Sequence, residues 1–301
     1  ILINFLELIT STMIFAITAL AFVAVPTALS FGITGQSFHN PRSLLMLSDG
    51  RRALMGGNWK MNPLTLDKAT SLASEVAKLT KDFGDVDVAI FPPSCFLTPV
   101  NAEIKSSSVN LGGQDCYFET DGAYTGGLST AMLKDVGCSY ILVGHSERRT
   151  VFGEDDSIIN KKTLKVLGEG LKVVLCIGET KEEYEAGKNQ EVCAVQLEKG
   201  LEGVSAEMMK DVVIAYEPVW AIGTGLVCPA SVAQDVHAFI RSVLAKKYGD
   251  DVAKTVVIQY GGSVKPDNVK EIMGMKDIDG CLVGGASLVP DGFAKIVGYS
   301  A

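Results

Sequence analysis

Residues 212–243 read VVIAYEPVWAIGTGLVCPASVAQDVHAFIRSV. The opening run, Val212–Tyr216, is short, apolar and β-branched, as a buried strand is. Glu217 ends it. A loop from Pro218 to Gly225 follows, and beyond it Val232, Val236, Phe239, Ile240 and Val243 recur at i, i+4, i+7, i+8 and i+11, the spacing of one helix face. The segment is therefore strand, loop, helix, and the next β-rich run, Thr255–Tyr260, begins a second such unit.

The same alternation extends in both directions. Met55–Met61, Val86–Phe91, Val109–Gly112, Tyr140–Val143, Val173–Ile177 and Cys281–Val283 complete eight strands, with helical segments between them. Alternating β and α implies a parallel sheet. Eight units over 55–301 fit the size of a closed (β/α)8 barrel. An open doubly wound sheet is the alternative, and no G-x-G-x-x-G follows the first strand to support it. The expected fold class is α/β: a single (β/α)8 barrel, residues 55–301, behind an N-terminal targeting extension, residues 1–54.

At 301 residues and 47% hydrophobic, the chain can bury a sizeable core. Its net charge is −8, and basic residues such as Lys161, Lys162 and Lys165 are scattered, which argues against nucleic acid as a partner. An anionic substrate remains compatible, because backbone N–H groups and one aimed lysine outweigh a distant, salt-screened charge. The seven cysteines form no C-x-x-C pair, favouring a reducing compartment. His39, His145 and His237 lack the spacing of a helical metal site. Neither metal nor cofactor is expected.

Residues 1–54 differ from the rest. Met13–Val25 is an apolar run ending near Ala28-Leu29-Ser30, a signal-like segment spanning 1–30. Residues 31–54 carry Ser37, Ser43 and Ser48 with Arg42, Arg51 and Arg52 against Asp49, a transit-like composition. This order resembles plastid presequences of algae with complex plastids, so a stromal location is expected, with cytoplasm or mitochondrion if the leader is misread. An uncleaved membrane anchor or mis-joined upstream sequence is the alternative. No membrane association is expected of the mature domain.

Working residues of such barrels lie where strands end. After the first strand, alternation puts Asn58 and Lys60 on one side, aimed at the barrel mouth. A lysine there calls for an anion, a bound phosphate or enolate, or else an internal carboxylate. The fourth strand ends in Gly144-His145-Ser146-Glu147-Arg148-Arg149, and His145 at the start of a helical turn suits a neutral ring that donates an N–H. Glu217, desolvated under its loop, suits removal of a carbon-bound proton. Pro218 is a hinge candidate, while Gly223 and Gly225 let the loop tip change conformation. Tyr260-Gly261-Gly262-Ser263-Val264 and Val283-Gly284-Gly285-Ala286-Ser287 are glycine turns where barrels commonly hold phosphate.

Together with Asn58-Trp59-Lys60-Met61-Asn62 and Tyr216–Gly225, these strings resemble the triosephosphate isomerase family, in the family's order, across Met55–Ala301. The resemblance implies Glu217 as general base and His145 as the electrophile that polarises the carbonyl. It implies Lys60 and Asn58 as groups that hold substrate and stabilise the enediolate charge, and Glu147 as the support of Lys60 and His145. Gly223, Ser263, Gly284 and Gly285 are the implied phosphate donors. Pro218, Val219, Trp220, Ala221, Ile222, Gly223 and Thr224 would form a lid that excludes water. The implied substrate is a triose phosphate, in glycolysis, gluconeogenesis or carbon fixation, handled by a homodimer with Thr125, Met61 and Arg148 at the contact. Two departures stand out: Gly127 where a glutamate is common, and Asp115 where asparagine is common. That glutamate normally pairs across the interface with the arginine matching Arg148, so its loss weakens the expected dimer.

Two other readings compete. Another phosphate-binding barrel, such as an aldolase or an indole-pathway synthase, would share the glycine turns but not this lid, and a Schiff-base aldolase would place a lysine where Glu217 stands. A non-catalytic barrel, kept as a scaffold or binding protein, would have no need of the acid-base groups that this chain retains.

Overall fold

A computed structural model describes residues 50–300. The signal-like segment and most of the transit-like one, residues 1–49, lie outside the described residues. The strands are β1 (Ala53–Asn58), β2 (Val86–Phe91), β3 (Val109–Gly113), β4 (Cys138–Val143), β5 (Lys172–Ile177), β6 (Val212–Tyr216), β7 (Val257–Tyr260) and β8 (Gly280–Val283). Each pairs in parallel with the next, and β8 returns to β1, so the sheet is a closed barrel rather than an open one.

Period-2 alternation sorts the strand side chains into two cores. Val212, Ile214 and Tyr216 join a cluster with helix residues such as Val236 and Ile240. Val213 and Ala215 join Val174, Cys176, Leu54 and Leu282 in a cluster built from strands alone, the barrel interior. The inward series of β6 continues to Glu217, which is how a residue next to the strand end arrives at the barrel mouth.

The helix Ala230–Tyr248 forms where the spacing predicts one, but its buried face is rotated. Ala230, Ala233, Val236, His237, Ile240 and Leu244 are buried, whereas Val232, Phe239 and Val243 lie only partly covered. The small Ala233 lets the helix sit close, and the His237 ring fills the space, its edge against Tyr216 at 5.5 Å between centroids. Burial holds that imidazole down, to about 4.

Strand ends shift for local reasons. Thr255 closes the short helix Asp250–Thr255 by donating to the Val252 carbonyl at 2.8 Å, so β7 starts at Val257 rather than Thr255. β1 begins at Ala53 and stops at Asn58, not Met61. Lys60 adopts φ +52°, which no strand permits, and its carbonyl accepts from Gln114 Nε2 at 2.7 Å.

Arg51, arginine-rich leader by composition, is built into the base of the barrel. Its Nε donates to Asp279 Oδ1 at 2.8 Å and its Nη1 to the Lys254 carbonyl at 2.8 Å. Asp279 also accepts from Arg241 Nη2 at 2.6 Å and from the Ile258 N–H at 2.9 Å. Burial pushes this carboxyl up; the two guanidiniums and the N–H pull it back.

Candidate active site

At the C-terminal end of the strands, a cavity of about 300 Å³ gathers Asn58, Lys60, His145, Glu217, Gly223 and Ser263, with Gly284 and Gly285 on its far wall. Sequence order had scattered these groups over more than two hundred positions. Asn58 and Lys60 meet there for a reason other than alternation. Asn58 is the last strand residue, and the left-handed turn at Lys60 swings its side chain in, while the Lys60 N–H donates to Asn58 Oδ1 at 3.0 Å. A lysine at positive φ carries strain of roughly 1–2 kcal/mol.

His145 caps the helix Ser146–Thr150. Its Nδ1 accepts the Glu147 N–H at 3.2 Å, so that nitrogen carries no hydrogen, and the hydrogen sits on Nε2. Nε2 lies 3.0 Å from Glu217 Oε1, while Glu217 Oε2 accepts the Ser146 N–H at 2.8 Å. The carboxylate is almost fully buried; one oxygen accepts the Ser146 N–H and the other faces the His145 ring, so the charge is not left without polar neighbours. Lys60 Nζ ends 2.6 Å from Glu147 Oε1. Glu147 thus holds the histidine through its backbone and the lysine through its side chain.

Neighbouring strands press closely on Glu217. Its N–H donates to the Ile177 carbonyl at 2.7 Å, carrying the β5–β6 ladder one residue past the strand. A Cβ on Gly178 would sit 1.7 Å from the Glu217 carbonyl oxygen, so only glycine fits. Cys176, below it in the barrel, has its thiol pushed far up by burial and by the Glu217 charge.

The segment Pro218–Thr224 arches over the cavity, with a 3-10 turn at Val219–Ala221 and Gly223 at φ +69°. Ile222 and Gly223 reach the cavity wall. Its foot is anchored by Glu179, which sequence reading passed over. Glu179 Oε1 accepts from Trp220 Nε1 at 2.7 Å and from the Tyr216 hydroxyl at 3.0 Å, and Tyr184 stacks on Trp220 at 4.3 Å. Burial raises the Glu179 carboxyl, against those two hydrogen bonds. A carboxylate just beyond an apolar strand was the available signal, the same one that marked Glu217. Lys265 is the second residue passed over; it lines the cavity just beyond the Ser263 turn.

Thr125 and Met61 stand apart from the cavity, both exposed on loops. Thr125 borders a separate hollow with Arg148. Arg148 forms ion pairs within its own chain, to Glu154 and, at 3.1 Å, to Asp115. Lys162 reaches the same two carboxylates, each at 2.6 Å.

A model of the triosephosphate isomerase family matches residues 53–300. Over 249 residues the chain is 48% identical to the triosephosphate isomerase of Thermoanaerobacter pseudethanolicus, covering 83% of this chain and all of that protein. It is 46% identical to that of Geotalea uraniireducens over 250 residues, 83% of this chain and 99% of the relative. Against that of Chlorobium phaeovibrioides the identity is 50% over 248 residues, 82% and 98% of the two chains.

Proposed function

The chain belongs to the triosephosphate isomerase family, and from that premise we propose how it interconverts D-glyceraldehyde 3-phosphate and dihydroxyacetone phosphate. Glu217 removes a proton from the carbon beside the carbonyl. The C–H electron pair becomes the C=C bond of an enediolate, and the carbonyl oxygen takes the negative charge. His145 Nε2–H and the Lys60 ammonium stabilise that oxygen. The hydroxyl proton of the enediolate passes to the former carbonyl oxygen, and the protonated Glu217 returns its proton to the carbon that bears that oxygen, leaving the carbonyl on the first carbon. One carbon is reduced as the other is oxidised, so the step needs no external electron carrier.

The observation that carries this reading is the contact of Glu217 with His145. Glu217 Oε1 faces His145 Nε2 at 3.0 Å. A substrate carbonyl that takes the His145 N–H releases one carboxylate oxygen at the moment the carbon acid arrives. The phosphate is held by backbone N–H groups of Gly223, Ser263, Gly284 and Gly285, and closure of Pro218–Thr224 keeps water from the enediolate. Asn58 orients Lys60. A scaffold protein would have no use for a buried carboxylate held against a histidine ring. The deciding experiment is a coupled assay of the purified protein with glyceraldehyde 3-phosphate: rapid formation of dihydroxyacetone phosphate supports the reading, and none at micromolar enzyme sinks it.

A homodimer is the second part of the proposal. Met61, Val151 and Phe152 are exposed, at 84%, 73% and 64%, more apolar surface than a lone subunit usefully leaves to water. With Gly127 contributing no carboxylate, Arg148 is neutralised at home by Glu154 and Asp115, and the contact rests on apolar side chains. Analytical ultracentrifugation checks it: a sedimentation coefficient of one subunit at micromolar concentration refutes the dimer.

The third part is location. The serine- and arginine-bearing leader supports import into a plastid, where the same reaction serves carbon fixation. Fluorescence of a fusion of residues 1–54 outside the plastid of an alga with complex plastids refutes this.

A further inference from the structure

The charged side chains lining the cavity are Lys60, Lys265 and Glu217. Lys60 already holds Glu147 at 2.6 Å, and Glu217 has its own donors. Lys265 differs: among the described residues its ammonium has no hydrogen-bond or ion-pair partner. It is the uncompensated charge at the mouth of a site that must receive a dianion. The protein around it is net negative, −8 over the chain, so long-range repulsion opposes the substrate, and a local cation counts for more.

The position of Lys265 is built. Its N–H donates to Asn268 Oδ1 at 2.7 Å, and Asn268 Nδ2 donates to the Ser263 carbonyl at 3.0 Å. One side chain thus ties both ends of the Ser263–Lys265 turn. Val264 between them is buried. On the other side, a Cβ at Gly262 would lie 2.2 Å from the Tyr260 hydroxyl, so the turn is seated against β7 without slack. The lysine stem therefore leaves from a fixed point two residues after the Ser263 phosphate donor.

We propose that Lys265 is a phosphate-recruiting residue, a second cation that draws the phosphorylated end of the substrate to the Gly and Ser N–H groups and takes no part in proton transfer. Asn268 is its positioning residue. This rests on the isomerase reading above and adds a source of affinity to it. One unit charge facing a dianion across a wet, partly screened mouth corresponds to about a three- to tenfold change in affinity.

The test compares the full chain with Lys265→Met and Lys265→Arg, measuring kcat and KM for glyceraldehyde 3-phosphate at several ionic strengths, and the inhibition constant of inorganic phosphate. In Lys265→Met, KM and the phosphate inhibition constant rise together, about three- to tenfold at low salt, with kcat within about twofold. The rise shrinks as salt is added, and Lys265→Arg restores both. Unchanged KM and phosphate inhibition in Lys265→Met overturns the proposal, as does a fall in kcat at constant KM. If the unaltered chain lacks isomerase activity, the functional reading fails instead; calorimetric titration of inorganic phosphate into chain and variant then decides Lys265 separately, equal affinity refuting it.

Discussion

Glu217→Gln is expected to lower kcat by about three orders of magnitude, the middle of the range for removal of a general base, or about 4 kcal/mol of barrier. The amide keeps the volume and still accepts the Ser146 N–H, now met at 2.8 Å, so the fold survives with a near-normal melting temperature. What it lacks is an acceptor for a carbon-bound proton. KM should move little, because the proposed phosphate donors are backbone N–H groups that the substitution leaves in place. Glu217→Asp keeps the charge and withdraws it by one methylene, and the loss is smaller, about a hundredfold, the size of effect expected from a misplacement of about 1 Å. Steady-state kinetics, with exchange of the substrate carbon-bound hydrogen for solvent deuterium, separates the cases. Retention of kcat within tenfold in Glu217→Gln, with exchange undiminished, would remove Glu217 from the chemistry.

Asp279→Ala carries the largest expected effect on stability. It takes from Arg51 and Arg241 the buried carboxylate that now lies 2.8 Å and 2.6 Å from their guanidiniums, and orphans the Ile258 N–H. Removing one member of a buried charged network costs about 3–5 kcal/mol, a fall in melting temperature of roughly 6–20 °C for a domain of this size. The network sits at the N-terminal ends of the strands, opposite the cavity, so the folded fraction should keep its kcat. Calorimetry checks the first statement and kinetics below the transition the second. Starting the chain at Met55 deletes Arg51 together with the first two residues of β1 and is expected to destabilise in the same direction. A melting temperature within 2 °C of the parent in Asp279→Ala would mean that desolvation already cancels the network's worth.

Strand identity was legible wherever apolar residues ran uninterrupted, as in Val173–Ile177 and Val212–Tyr216, because burial on both faces leaves no polar residue to blur the run. Strand ends were less legible. Thr255 looks like strand by propensity, yet its hydroxyl finds a helical carbonyl, and propensity yields to a local hydrogen bond. Lys60 arrived in the cavity for a reason alternation did not contain, since a left-handed turn is invisible in a non-glycine residue. The helix face was misjudged because Ala233 and His237 count as weakly apolar, although small size and ring shape decide close packing. Glu179 stayed hidden for another reason. In Gly-Glu-Thr-Lys-Glu-Glu it looks like one more acid at a helix start, which masks its place just beyond an apolar strand, and its partners, Tyr216 and Trp220, lie about forty residues away. Arg51 carries a general lesson: composition assigned it to a leader, whereas its partner Asp279 lies 228 residues along the chain.

Gly178 bears on how variants of this protein should be interpreted. It has no functional group and does not line the cavity, yet any side chain there collides with the backbone of Glu217. A library of single replacements ranked by turnover alone would therefore set position 178 beside 217 and 145, as though it did chemistry. Ranking the same library by abundance in cells would separate them, because a wedge between β5 and β6 lowers the amount of protein, whereas the loss of a proton acceptor leaves it intact. The catalytic map and the tolerance map of this barrel overlap without being the same map.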